Sequence, residues 1–180
     1  MFSRWCLQRL LVLIFLTGVM PGGVSASASS KEYKLKAAYL LNFARFIYWP
    51  EEAFEKTDNN FNICVYGESP FGESLNKLAD KKIHKKNIKL NYVKKIEGVL
   101  GCHIVFICSS EEVVFEELIS GFPEANMLTV SDIKGFSANG GMIEFVRVGN
   151  KIKFEINLKE SARQGIKYRS QLLEVAEHLR

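Results

Sequence analysis

Long apolar runs are scarce in this chain of 180 residues: the one extended stretch, Leu10 to Met20, falls well short of the roughly 20 residues a helix needs to span hydrocarbon. Four prolines and 13 glycines are too few for a collagen-like or low-complexity chain, and four cysteines too few for a small fold stapled by disulfides. Neither sign of charge dominates. Lysine and arginine number 24 against 20 acids, and a net charge of +4 is too mild to argue for nucleic acid. Catalytic signatures are missing as well. His84, His103 and His178 show no HxxxH or HExxH spacing, and there is no G-x-S-x-G elbow. The loop Gly67-Glu68-Ser69-Pro70-Phe71-Gly72 follows a strand, but it lacks the Lys-Ser/Thr pair of a phosphate cradle and loses an N–H donor at Pro70. The sequence therefore predicts no enzyme, no metal and no cofactor. With 47% apolar and 24% charged residues it has the material for a packed core, which excludes a disordered chain.

The first thirty residues differ from the rest. Arg4 and Arg9 precede the apolar stretch, no acid occurs before Glu32, Pro21-Gly22-Gly23 breaks the run, and small residues follow. This is the layout of a secretory signal peptide, with Ala26 and Ala28 at the −3 and −1 positions of a cut after Ala28. The expectation is a leader over residues 1–28 and a single domain over 29–180 that resides in the periplasm. Without the leader, 22 basic residues face 20 acidic ones.

Cys64, Cys102 and Cys108 remain, an odd number for an oxidising compartment. One bridge and one free thiol are expected, and the spacing alone leaves three pairings open. His103 and Cys108 stand five apart on one predicted strand and so should point to opposite faces, against a Cys/His pair.

Lys31–Tyr48 has no proline or glycine, ends before Pro50, and is apolar around most of its circumference. It predicts a helix buried between the sheet and another helix, or one that meets a second chain. Strands are expected over 61–66, 87–93, 102–108, 127–130 and 142–148. The last of these joins 151–158 through Gly149-Asn150 as a hairpin, with helices near 70–80, 111–120 and 166–179. The order implies an α/β three-layer sandwich, a mixed sheet of about six strands with helices on both faces. Lysines crowd residues 77–95, either as a solvated guard on an exposed sheet edge or as a surface for an anionic partner.

Five blocks, KAAYLLNFARFIYWPEEAF, FNICVYGESPFGESLNKL, GCHIVFICSSE, LTVSDIKGFSANGGMIEFV and KIKFEINLKESARQGIKYRSQLLEVA, run from Lys31 to the C-terminus. In order and spacing they resemble the YfiR family of periplasmic proteins. The resemblance implies a non-enzymatic regulator that binds the periplasmic domain of a membrane diguanylate cyclase and represses it, lowering cyclic di-GMP and biofilm formation. It also implies that a peptidoglycan-associated outer-membrane lipoprotein draws the regulator away, and that the protein forms a homodimer. By the same resemblance Cys64 and Cys102 are bridged, while the family's later cysteine pair has no counterpart here. Glu155, Ile166, Lys167 and Arg169 match positions implicated in partner or small-ligand contact.

Overall fold

Residues 24–46 carry neither proline nor glycine, and in the computed structural model they form one helix, α1 (Val24–Phe46). The model describes residues 24–55, 57, 60–123 and 126–180, so the expected leader lies outside the described residues as far as residue 23. α1 ends three residues before Trp49 because Ile47–Tyr48 turns extended as strand β1, in keeping with the restriction a following proline places on the backbone.

The remaining elements are β2 (Asn60–Tyr66), α2 (Asn76–Ala79), β3 (Lys82–Ile83), β4 (Lys86–Val93), β5 (Ile104–Ile107), α3 (Phe115–Ser120), β6 (Leu128–Ser131) and β7 (Ile143–Val148). They are followed by β8 (Lys151–Ile156), α4 (Leu158–Arg163), β9 (Lys167–Tyr168), α5 (Ser170–Leu173) and β10 (His178–Leu179). The main sheet is mixed and runs in the order β10-β8-β7-β6-β5-β2-β4-β3. It has eight strands where about six are expected, because two-residue strands, β3 and β10, cap its two edges. β4, β2, β5, β6 and β7 are parallel, and β7 and β8 form the expected hairpin around Gly149, whose φ of 58° suits glycine.

Alternation along the central strands sends side chains to both faces. Phe61, Ile63, Ile104, Phe106 and Val130 join Leu40, Phe43 and Ala44 of α1 on one side. Cys64, Val105 and Ile107 join Phe115, Leu118 and Phe136 on the other. The interior of α1 is thus covered mainly by this chain's own sheet. Among the described residues no helix is long and apolar enough to cross a membrane.

Two expectations change. The helix expected over 166–179 is β9, the single turn of α5, and β10. Long-range pairing overrides local periodicity there: β9 pairs with β1, the Arg169 N–H reaches the Phe46 carbonyl at 2.8 Å, and the Glu177 and Arg180 N–H groups add to β8. His103 and Cys108, in turn, flank β5 instead of lying within it, so strand alternation does not separate them. Both pack on the α1 side at opposite ends of the strand, His103 stacked 4.5 Å from the ring of Phe61 and Cys108 inside the α1 cluster.

His103 is 1% exposed and accepts the Asn62 N–H at Nδ1 (2.9 Å), which leaves the ring proton on Nε2 without an acceptor. Burial, with Lys86 nearby, lowers its pKa from 6.5 to about 4. The sign follows from proton uptake. Below pH 6.5 the unfolded chain binds a proton that the native state refuses until about pH 4, so stability is lost as pH falls through that window. Urea unfolding at pH 7.5 and 4.5 should show a His103→Phe variant losing about 2–3 kcal/mol less across that interval than the wild type.

Candidate functional site

The loop after β2, where the sequence shows no phosphate cradle, is closed. The Ser110 hydroxyl accepts the Glu68 N–H at 3.0 Å, and a Cβ on Gly67 would stand 2.4 Å from Ser110 Oγ and 2.5 Å from Glu111 Oε1. Gly67 itself has φ +93°, so glycine is needed both for the turn and for this approach. The loop is a structural turn in which the N–H groups of Gly67, Glu68 and Phe71 are engaged within the chain.

The open cleft lies further along the strand ends, beyond β6 and against β7 and β8. It encloses about 670 Å³, and its wall carries four carboxylates (Glu32, Asp132, Glu144, Glu155) and four cations (Lys36, Lys134, Arg147, Arg180). Open α/β sheets commonly place ligands outside the carboxyl ends of their strands.

Two charged clusters build this wall. In the first, Lys36 of α1 is 3% exposed, and its Nζ lies 2.6 Å from both Asp132 Oδ2 and Glu32 Oε1. The Tyr33 hydroxyl donates to the same Asp132 oxygen at 2.7 Å, and Arg147 pairs with Glu32. Burial first, then the hydrogen bond to Asp132, pushes the Tyr33 phenol upward. Lys36 also stands 4.4 Å from the Tyr33 ring centroid, a cation–π contact that helps hold a buried ammonium.

In the second cluster, Glu144 and Glu155 face one another across the β7–β8 hairpin. Like charges opposite each other repel, so each needs donors. Glu144 takes N–H groups from Gly135 (2.9 Å) and Ser137 (3.0 Å). Glu155 takes Nε and Nη2 of Arg180, at 2.9 and 2.7 Å, on one oxygen. The Ser137 hydroxyl lies between the two carboxylates, 2.9 Å from Glu144 and 3.2 Å from Glu155. Both acids therefore work as fasteners, one for the 132–141 loop and one for the last residues of the chain. Among the described residues no three His, Cys, Asp or Glu side chains converge as metal ligands do.

A sequence profile of the YfiR/HmsC-like family matches residues 33–177. The chain belongs to the YfiR/HmsC-like family. No curated protein matches it. One solved structure, described as the ABC domain in complex with L-Trp from Streptococcus pneumonia, is 13% identical with a TM-score of 0.46. The likeness covers 72% of this chain and 58% of that one, so the chain spans less than two thirds of that protein's length. It carries no argument about ligand or activity.

The YfiR/HmsC-like family is a regulatory, non-catalytic one. In this member the Cys64–Cys102 bridge is present, with a Cα–Cα distance of 5.9 Å, and Cys108 is a buried free thiol whose pKa burial pushes up to about 12. The four candidate contact residues occupy different settings. Glu155 is in the cleft wall. Ile166 is 3% exposed and anchors the α4–β9 turn in the core, while Lys167 is exposed on β9. Arg169 lies 4.6 Å over the Tyr48 ring. The acid–base clusters escape a sequence reading except at one point. A two-residue hairpin around Gly149-Asn150 fixes Glu144 opposite Glu155, so that pair is deducible from the turn.

Proposed function

We propose that this chain is an exported, non-enzymatic regulator that binds the periplasmic sensor domain of an inner-membrane diguanylate cyclase and holds the cyclase inactive. The effect is lower cyclic di-GMP and less biofilm. The observation that carries this reading is the family match over residues 33–177. The geometry is in keeping with this, since the four carboxylates of the cleft are all engaged in ion pairs or hydrogen bonds. Repression requires that the regulator favour the inactive cyclase; about 2.7 kcal/mol of preference leaves about 1% active. The contact surface is placed on β9 and β1, where Lys167 and Arg169 accompany the half-exposed Tyr48, a mix of charge and apolar area that suits a reversible interface. Ile166 holds that segment in place and Glu155 fixes the neighbouring C-terminal strand. A homodimer, and an outer-membrane peptidoglycan-associated lipoprotein that withdraws the regulator, complete the reading.

The test is capture from solubilised membranes with the purified protein, followed by cyclase assay. A diguanylate cyclase should be retained and inhibited, deletion should raise cellular cyclic di-GMP, and Lys167→Glu/Arg169→Glu should weaken retention about tenfold while leaving the fold intact. No cyclase retained, together with unchanged cyclic di-GMP on deletion, ends this reading.

The cleft favours a second reading, a small-ligand sensor without a cyclase partner. Its volume is that of a small-molecule site, and its balanced wall suits a ligand carrying both signs of charge. A small ligand that raises the melting temperature with the logarithm of its concentration above Kd, with no cyclase captured, would favour this alternative.

A further inference from the structure

One edge of the main sheet is covered for only two residues. β3 pairs with Lys86 and Asn87 of β4 and then ends, leaving Ile88–Val93 with no strand on its outer side. On the inner side, the Gly67 N–H following β2 reaches the Val93 carbonyl at 3.2 Å, so Val93, Asn91 and Lys89 direct their backbone groups toward β2. By alternation, Ile88, Leu90 and Tyr92 direct theirs outward, to the side on which Lys86 meets Ile83.

Beside this edge runs a groove of about 570 Å³, lined by Lys89, Leu90, Tyr92, Val93, Leu100 and the bridged Cys102. Tyr92 is 53% and Leu100 65% exposed. Lys81, Lys82, Lys85, Lys89, Lys94 and Lys95 are exposed around it, and no ion pair joins any of them to a carboxylate among the described residues.

We infer that the free edge of β4 is a docking site for an acidic, extended polypeptide segment that adds to the sheet as a further strand. The outward N–H and C=O groups of Ile88, Leu90 and Tyr92 supply the ladder, the groove, where Asn62 and Asn91 stand beside Leu100, takes one side chain, and the lysines select the charge. The same lysines oppose a second copy of this chain, whose own lysines would lie alongside, so edge protection and partner choice come from one set of residues. A lipid or nucleic-acid surface would use the lysines but has no need of the ladder. This site is separate from the β9 surface and stands or falls apart from the cyclase reading.

The probe is a fluorescein-labelled eight-residue peptide of alternating glutamate and valine, titrated into the full chain by anisotropy. N-methylation at every second residue, in one of its two phases, should weaken binding about tenfold, and Lys89→Glu/Lys94→Glu should do the same without changing the circular dichroism. Amide exchange at Ile88, Leu90 and Tyr92 should slow about tenfold on binding, while Lys89, Asn91 and Val93, already paired with β2, stay as they are. Equal binding of both N-methylated phases, or unchanged exchange at Ile88, Leu90 and Tyr92, would overturn the inference. So would displacement of the peptide by phosphatidylglycerol vesicles that bind without slowing those amides, which would reduce the lysines to a general anionic-surface patch.

Discussion

Removing the Cys64–Cys102 bridge should lower the unfolding free energy by about 4 kcal/mol, the value the chain-entropy account gives for a loop of this length. The two cysteines are 38 residues apart in sequence, and the bridge ties β2 to the residue that leads into its neighbour β5. Both are buried in the face opposite α1, where the reduced thiols pack as small hydrophobes, so the loss comes from the freed unfolded chain. Urea unfolding with and without dithiothreitol measures the effect directly. A Cys64→Ala/Cys102→Ala variant should agree with the reduced protein to within about 1 kcal/mol. For a chain of this size the melting temperature should fall by about 10 °C. Cys108 is buried in the native state but becomes exposed on unfolding, so the comparison is made in a Cys108→Ala background, which prevents thiol exchange with the bridge. A loss under about 1 kcal/mol would mean that the unfolded chain is not constrained by the bridge.

Asp132→Ala should cost about 3 kcal/mol, a large effect for one carboxylate, because it leaves a buried ammonium with only the more exposed of its two partners, Glu32. Lys36 is nearly inaccessible, and Asp132 is the more buried of its two partners; Glu32 keeps 22% of its side-chain surface in water. The loss of Asp132 also leaves the Tyr33 hydroxyl without its acceptor. Lys36→Met/Tyr33→Phe/Asp132→Leu should restore most of the stability, since the cluster already leaves Asp132 Oδ1 buried without a partner and a hydrophobic replacement removes that burden together with the unpaired Tyr33 hydroxyl. A double-mutant cycle by urea unfolding at pH 7 gives the coupling. If Asp132→Ala is neutral, Lys36 reaches solvent and the cluster is a surface pair.

The parts of this fold legible in the sequence are those set by local pattern. FNICVYG and CHIVFIC read as buried strands, and Gly149-Asn150 reads as a hairpin turn because glycine supplies the positive φ the turn needs. α4 was legible in principle and missing from the pattern of apolar residues: Asn157 accepts the Glu160 N–H at 2.9 Å, an Asn-x-x-Glu start whose only buried residue is Ser161. The segment 166–179 misleads because Ile166 and Leu172 are both buried, yet the backbone between them pairs with β1. The site was harder still. Lys36 and Asp132 are 96 residues apart, and a lysine in an apolar helix does not announce which distant acid will neutralise it. Glu155 was visible as a candidate, whereas its partner Arg180 depended on β10, which no periodicity marks.

The strand order has one more consequence. Four strands, β7, β6, β5 and β2, separate the cleft edge at β8 from the lysine edge at β4, which at the usual spacing between neighbours is about 24 Å. A molecule seated on one flank does not touch a molecule seated on the other. Occupants of the two proposed sites would therefore bind independently, and saturating either should leave the dissociation constant at the other unchanged.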